Sequence, residues 1–168
     1  MFGSEQQEAN VESAIEHIAV AQSIDLLVIA PATADCVAKL ACGIADDFLS
    51  SLYLATRAPV LIAPAMNSNM LAHEAVQRNL QTLSQRGVRF VEPGEGYLAC
   101  GWIGKGRLAE PAEVVQAAEL VLAPAASTSV SASGSASGSA SVSALRGKHV
   151  VVTAGPTYED IDAVRYVG

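Results

Sequence analysis

Apolar and polar residues follow two different periods along this chain. In "VESAIEHIAVAQS", Val11, Ile15, Ile18 and Ala19 recur at helical spacing and Gln22 continues the phase, so an amphipathic helix is predicted. "DLLVIA", Asp25 to Ala30, is instead a continuous apolar run, the pattern of a parallel strand covered on both faces. Pro31 is expected to end it. Thr33 or Asp35 then caps a helix reaching about Gly43, whose glycine suits a left-handed C-terminal position. Asp46 and Asp47 open a further helix in "DDFLSSLYLAT", where negative charge favours the N-terminus. "VLIA" is a second strand, "NSNMLAHEAVQRNLQTLSQRG" one long helix ending on Gly87, and "VRFV" a third short strand.

The later part changes character. "EPGEGYLACGWIGKGRLAEP" (Glu92–Pro111) carries glycines at 94, 96, 101, 104 and 106, too many for a helix, and suits a hairpin or flap. "AEVVQAAELVLA" returns to helix. Residues 124–144, "PAASTSVSASGSASGSASVSA", form a Ser/Ala/Gly tract that cannot bury a core and reads as a linker. "LRGKHVVVTAGPTYEDIDAVRYVG" then starts a new strand at Lys148–Val152, followed by a Gly-Pro turn. Strand and helix alternate with short connections, which predicts an α/β fold: a parallel sheet with helices on both faces. Ligands in such sheets lie beyond the carboxyl ends of the strands. "APATAD" and "APAMN" occupy those ends.

Composition narrows the partners. The 168 residues carry a net charge of −7 with a pI near 4.8 and no Lys/Arg cluster, so neither nucleic acid nor an anionic membrane would be attracted. Three cysteines are too few for a disulfide framework, and a reducing, cytoplasmic setting is the natural reading. No residues have the spacing of a zinc site. "MFGSEQQEAN" has no apolar h-region, and Leu26 to Ala45 is broken by Pro31, Asp35 and Lys39, so neither a signal peptide nor a membrane span is expected.

Few residues stand out as chemistry. His17 lies on an apolar helix, where a partly buried structural role competes with proton handling near neutral pH. Asn67 either caps the helix that follows or turns its amide to a carboxylate or planar heterocycle. Met66 and Met70 read as core filler or as contacts to a flat ligand. Cys100, among glycines rather than in an apolar run, is a candidate acid or nucleophile, or else a free surface thiol. Thr33, Ala34 and Asp35 start a helix at a strand's carboxyl end, a position suited to polar ligand atoms.

Taken in order, "EHIAVAQSIDLLVIAPATADCVAKLACGIADDFLSSLYLA", "APAMNSNM" and "GYLACGWIGKGRLAEP" closely resemble the phosphopantothenoylcysteine decarboxylases, flavoproteins of coenzyme A synthesis. "LRGKHVVVTAGPTYEDIDAVR" resembles the opening of phosphopantothenate–cysteine ligase, a common bacterial fusion in this order. The resemblance implies a Rossmann-like, flavodoxin-like sheet and FMN-dependent conversion of 4′-phosphopantothenoylcysteine to 4′-phosphopantetheine. The cysteinyl thiol is oxidised to a thioaldehyde, carbon dioxide leaves, and the enethiol is reduced again. It further implies His17, Asn67 and Cys100 as catalytic residues, with Asn67 on the substrate carboxylate and Cys100 supplying a proton. Met70, Tyr97, Leu98 and Ala99 would contact substrate, and Thr33, Ala34, Asp35, Cys36 and Ala65 the flavin. Family relatives are trimers with sites between subunits, and the ligase half uses CTP and Mg2+.

Two departures accompany the resemblance. Asp35 and Cys36 stand where the family usually has Asn and Thr. The family's first strand and Gly-rich turn are missing, and the ligase unit stops early, so the chain reads as an internal fragment. Its expected parts are a decarboxylase domain (1–123), a linker (124–144) and a truncated ligase start (145–168). Two competing readings remain on the resemblance: a non-catalytic regulatory module of the phosphatase-inhibitor type, and a flavin-linked decarboxylase acting on a peptide C-terminal cysteine. The ligase-like tail belongs to neither.

Overall fold

The computed structural model describes residues 16–97, 103–123, 145–153, 159–160 and 166–167. Helix α1 (residues 16–23) leads into strand β1 (Leu26–Ala32). Helices α2 (Ala34–Cys42) and α3 (Phe48–Ala55) return the chain to β2 (Val60–Pro64), and α4 (Ser68–Ala72) and α5 (Glu74–Gln85) lead to β3 (Arg89–Phe90). A hairpin of β4 (Gly94–Tyr97) and β5 (Ile103–Arg107) precedes α6 (Pro111–Leu122). After the Ser/Ala/Gly tract comes β6 (Val150–Thr153), then a small antiparallel pair, β7 (Glu159–Asp160) and β8 (Tyr166–Val167).

The main sheet has the order β3-β2-β1-β6, and each neighbouring pair is parallel. Successive residues of β1 feed opposite cores, as the period of a strand requires. Leu27 and Ile29 join Ala21, Val37, Leu40, Leu52, Ile62 and Leu83, from α1, α2, α3, β2 and α5. Leu26 and Val28 join Leu61, Ala63, Val91 and Ala118 on the face covered by α6. Helices therefore cover both faces, which explains the unbroken apolar run. Each fully buried Leu or Ile here stabilises the fold by about 1.5–3 kcal/mol.

Local signals set most boundaries. Thr33 caps α2 by accepting from the Cys36 amide at 3.2 Å, and Gly43 closes it at φ 73°, a left-handed conformation that favours glycine. Asp47 caps α3 through a reciprocal box with Ser50, at 2.7 Å and 3.2 Å.

Two expectations need correction. Pro31 does not end β1. The ladder to β2 slips after Ile29 and resumes at Ala32↔Pro64, so Pro31 sits in an irregularity where its missing N–H costs no rung. The segment after Asn67 is not one long helix. His73, extended at ψ 135°, closes α4 through its amide to Met70 and caps α5 by accepting from the Ala75 amide at its Nδ1, 3.2 Å away. A histidine at the break supplies a cap where the pattern suggested continuity.

At the amino end of β1, the Asp25 carboxylate accepts from the His149 amide at 2.9 Å and from the Lys148 ammonium at 3.2 Å. The His149 amide first, then Lys148, hold its pKa below the ordinary 3.8. A depressed carboxyl pKa contributes stability above the ordinary value and loses it as pH falls through the folded one. Acidification below about pH 4 should therefore loosen β6 before the rest of the sheet. Amide hydrogen exchange measured against pH checks this; equal protection of β6 and β1 throughout would refute it.

Candidate functional site

The parallel sheet brings the carboxyl ends of β1 and β2 to one rim. The Ala65 amide donates to the Ala32 carbonyl at 2.9 Å, so the two strand ends leave side by side. From one departs Thr33 into α2, and from the other Met66 and Asn67 into α4. Thr33, Ala34, Asp35, Cys36, Ala65 and Asn67, far apart in sequence, thus share this rim.

The Asn67 amide oxygen accepts from the Asn69 amide at 2.8 Å, so the capping reading is realised and fixes the side chain's orientation. Met70 stands on α4, 48% exposed. The hairpin docks on this loop: the Met66 amide donates to the Gly106 carbonyl at 2.9 Å. Gly106 lies at φ 137°, and a Cβ there would run into the Met66 carbonyl oxygen. Gly104 lies against the Ser68 hydroxyl. The flap expected from the glycines is therefore seated on the Asn67 loop. Sequence reasoning saw a Gly-rich stretch but missed that Gly106 is the residue pressed on Met66; only the alternation of Gly104 and Gly106 hinted at a face without side chains. Tyr97 ends β4 opposite Ile103. The expectations for Leu98, Ala99 and Cys100 lie outside the described residues. A cleft of about 440 Å³ opens beside the flap, among Pro64, Leu71, Gln77, Phe90, Glu92 and Lys105.

His17 sits on a separate element. Its ring meets Phe48 edge-on, at 6.4 Å between centroids, and Phe48 at the start of α3 is 42% exposed.

The two unusual residues of α2 are partly neutralised. Asp35 points outward, 3.8 Å from Lys39, and the same ammonium reaches Asp46 at 3.1 Å and Asp47 at 3.3 Å. This carboxylate network around Lys39 was not anticipated. Burial, then the charges of Asp47 and Asp35, push the Cys36 thiol up to about 11. It therefore presents a neutral S–H at the rim at physiological pH. At pH 8, iodoacetamide should label exposed Cys42 well ahead of half-buried Cys36. Lys39 lies between them, so tryptic peptides report each site by mass; equal rates would contradict the burial argument.

Among the described residues no group of three or more His, Cys, Asp or Glu could hold a metal ion, and no helix is long and apolar enough to cross a membrane.

A parallel α/β sheet with a rim of small and polar residues and a glycine-bearing flap defines a ligand-binding domain of the flavodoxin-like class. The chain belongs to the Flavoprotein family, whose model matches residues 3–123. Residues 145–168 match the DNA/pantothenate metabolism flavoprotein C-terminal domain. The chain is 51% identical over 154 residues to the coenzyme A biosynthesis bifunctional protein CoaBC of Bacillus subtilis, covering 92% of this chain and 34% of that protein. It thus spans about a third of the length of such relatives. A solved PPC decarboxylase variant complexed with pantothenoylaminoethenethiol superposes with TM-score 0.61 at 34% identity, over 62% of this chain and 58% of that one. The FMN binding protein AtHal3 superposes with TM-score 0.56 at 35% identity, over 62% and 57%.

Proposed function

We propose that this chain carries the FMN-dependent decarboxylase part of a bifunctional coenzyme A enzyme, converting 4′-phosphopantothenoylcysteine to 4′-phosphopantetheine. The observation that carries the reading is the tandem match: a Flavoprotein segment followed by the pantothenate-type C-terminal segment, in the order of the CoaBC relatives. The 145–168 match also disfavours a purely regulatory module and a peptide-cysteine decarboxylase, neither of which calls for that segment.

The rim residues fit a flavin. Cys36 and Val37 donate their amides to the Thr33 hydroxyl and carbonyl, and the first-turn amides of Ala34 and Asp35 have no i−4 acceptor within the helix. Small side chains at Ala34 and Ala65 let a planar group approach the backbone. Thr33, Ala34, Asp35, Cys36 and Ala65 would hold FMN, which when bound supplies the reversible two-electron oxidation that makes carbon dioxide a good leaving group.

The chain's own residues bind, orient and shield. Asn67, fixed by its bond to Asn69, offers amide contacts to the substrate carboxylate, with Met70 beside it. The flap, seated through Gly106, would help exclude water from the substrate, with Tyr97, Leu98 and Ala99 as its proposed contacts. Cys100 would return a proton to the substrate carbon at the end of the cycle. His17 handles protons at a site completed by a second subunit. The exposed Phe48 surface beside it is the kind of apolar area that a trimer contact would cover. The ligase half of the full-length enzyme would take CTP and Mg2+.

Purified full-length protein should keep flavin absorption bands near about 370 and 450 nm through dialysis and release carbon dioxide from 4′-phosphopantothenoylcysteine. Flavin-loaded protein that releases none would reject the decarboxylase assignment.

A further inference from the structure

Helix α4 follows Asn67 and carries Met70, yet none of its five residues is buried, so apolar packing does not hold it in place. A helix this short does not persist by itself. It lies between strand β5 of the flap and α5, beside the cleft that Leu71, Gln77 and Lys105 help to line. Hydrogen bonds must therefore fix it. We propose that Gln77, one turn into α5, is a positioning residue for the reaction: its side-chain amide ties the end of α4 to α5 and so sets Asn67 and Met70 at the strand ends. The inference rests on the role proposed for Asn67.

The bonds fall at two ends. At the start of α4, the Met66 amide donates to the Gly106 carbonyl at 2.9 Å and the Asn69 amide to the Asn67 side chain at 2.8 Å. At its end, the His73 amide donates to the Met70 carbonyl at 3.1 Å, and Gln77 Nε2 donates to the Leu71 carbonyl at 2.6 Å. The last carbonyls of a helix have no donor within it and must find one outside. His73 belongs to the break itself, so its bond follows any tilt of α4. The Gln77 bond differs. It comes from a helix anchored in the core by Leu83 and Leu80, and Gln77's own amide is already bonded to the His73 carbonyl at 3.0 Å. Gln77 thus transmits the fixed position of α5 to a segment with no buried residue of its own.

Without that strut, α4 is pinned at the flap end and tilts over the cleft, taking Met70 and the loop of Asn67 with it. A displacement of about 1 Å in a group aligned on reacting atoms costs on the order of 100-fold in rate. Gln77 is itself exposed, so replacing it leaves the core intact.

The test uses the full-length, flavin-loaded enzyme. Gln77→Glu is nearly isosteric and lies where the dipole of α5 tolerates negative charge, but it sets an acceptor against the Leu71 carbonyl. Its kcat/KM should fall about 10- to 100-fold, with FMN affinity and melting temperature close to those of the unsubstituted enzyme. Amide exchange should quicken over residues 68–72 and not over 79–85. Gln77→Leu, uncharged and without a donor, should show the same loss. Gln77→Lys, which restores a donor of sufficient reach, should recover most of it. In an Asn67→Asp background, Gln77→Glu should lower kcat/KM by less than about threefold more, because both changes act through one side chain. Full additivity of the two, unchanged kcat/KM in both Gln77→Glu and Gln77→Leu, or a loss matched by a fall in melting temperature would overturn the proposal. Unsubstituted enzyme that binds FMN but releases no carbon dioxide would reject the decarboxylase reading, and the part of Gln77 in turnover with it.

Discussion

Alanine at position 106 should destabilise the protein by about 2–4 kcal/mol and unseat the flap from the Asn67 loop. Two effects add. At φ 137° any side chain is strained, and the new Cβ would meet the Met66 carbonyl oxygen, which belongs to backbone and cannot rotate away. Relief requires pulling β5 off the loop, which breaks the bond from the Met66 amide to the Gly106 carbonyl. Gly104→Ala is the control. Its Cβ meets the Ser68 hydroxyl, a side-chain terminus that turns aside, so that change should cost less than about 1 kcal/mol. Thermal or urea unfolding of both variants decides the matter; equal losses would show that Gly106 is not a point of close approach.

The second large effect falls on turnover. In the full-length enzyme, Asn67→Asp should lower decarboxylation about 100- to 1,000-fold, the scale of losing one aligned polar contact at a reacting centre. Aspartate keeps an oxygen to accept from the Asn69 amide, so the cap of α4 and the melting temperature should survive. What it adds is a negative charge facing the proposed position of the substrate carboxylate. Asn67→Ala removes both functions and should lose similar activity plus about 1 kcal/mol of stability. Turnover that follows stability across the two variants would reduce Asn67 to a helix cap.

Much of the fold was readable because the signals are local. The apolar runs at Leu26 and Val60, the Thr33 and Asp47 caps and the left-handed Gly43 each depend on neighbours within a few residues. The misses have physical reasons. His73 breaks a helix by using Nδ1 as a cap acceptor, a role outside the usual capping residues. β1 continues through Pro31 because the ladder slips there, which depends on the register of β2. The pairing of β6 with β1 joins residues more than a hundred positions apart, and the Asp25–Lys148 clamp has no local signature. The candidate site was half legible. Thr33, Ala34, Asp35, Cys36, Ala65 and Asn67 could be placed at strand ends from pattern, whereas the seat of the flap on Met66 depends on a contact that only folding reveals.

A crystal structure of the full-length, flavin-loaded assembly bears most directly on the proposed chemistry. The isoalloxazine ring should rest on Thr33–Cys36 and Ala65, with His17, Asn67 and Cys100 reaching the same cleft, His17 across a subunit contact. A ring bound away from the ends of β1 and β2, or those three side chains opening onto separate surfaces, would contradict the decarboxylase site proposed for this chain.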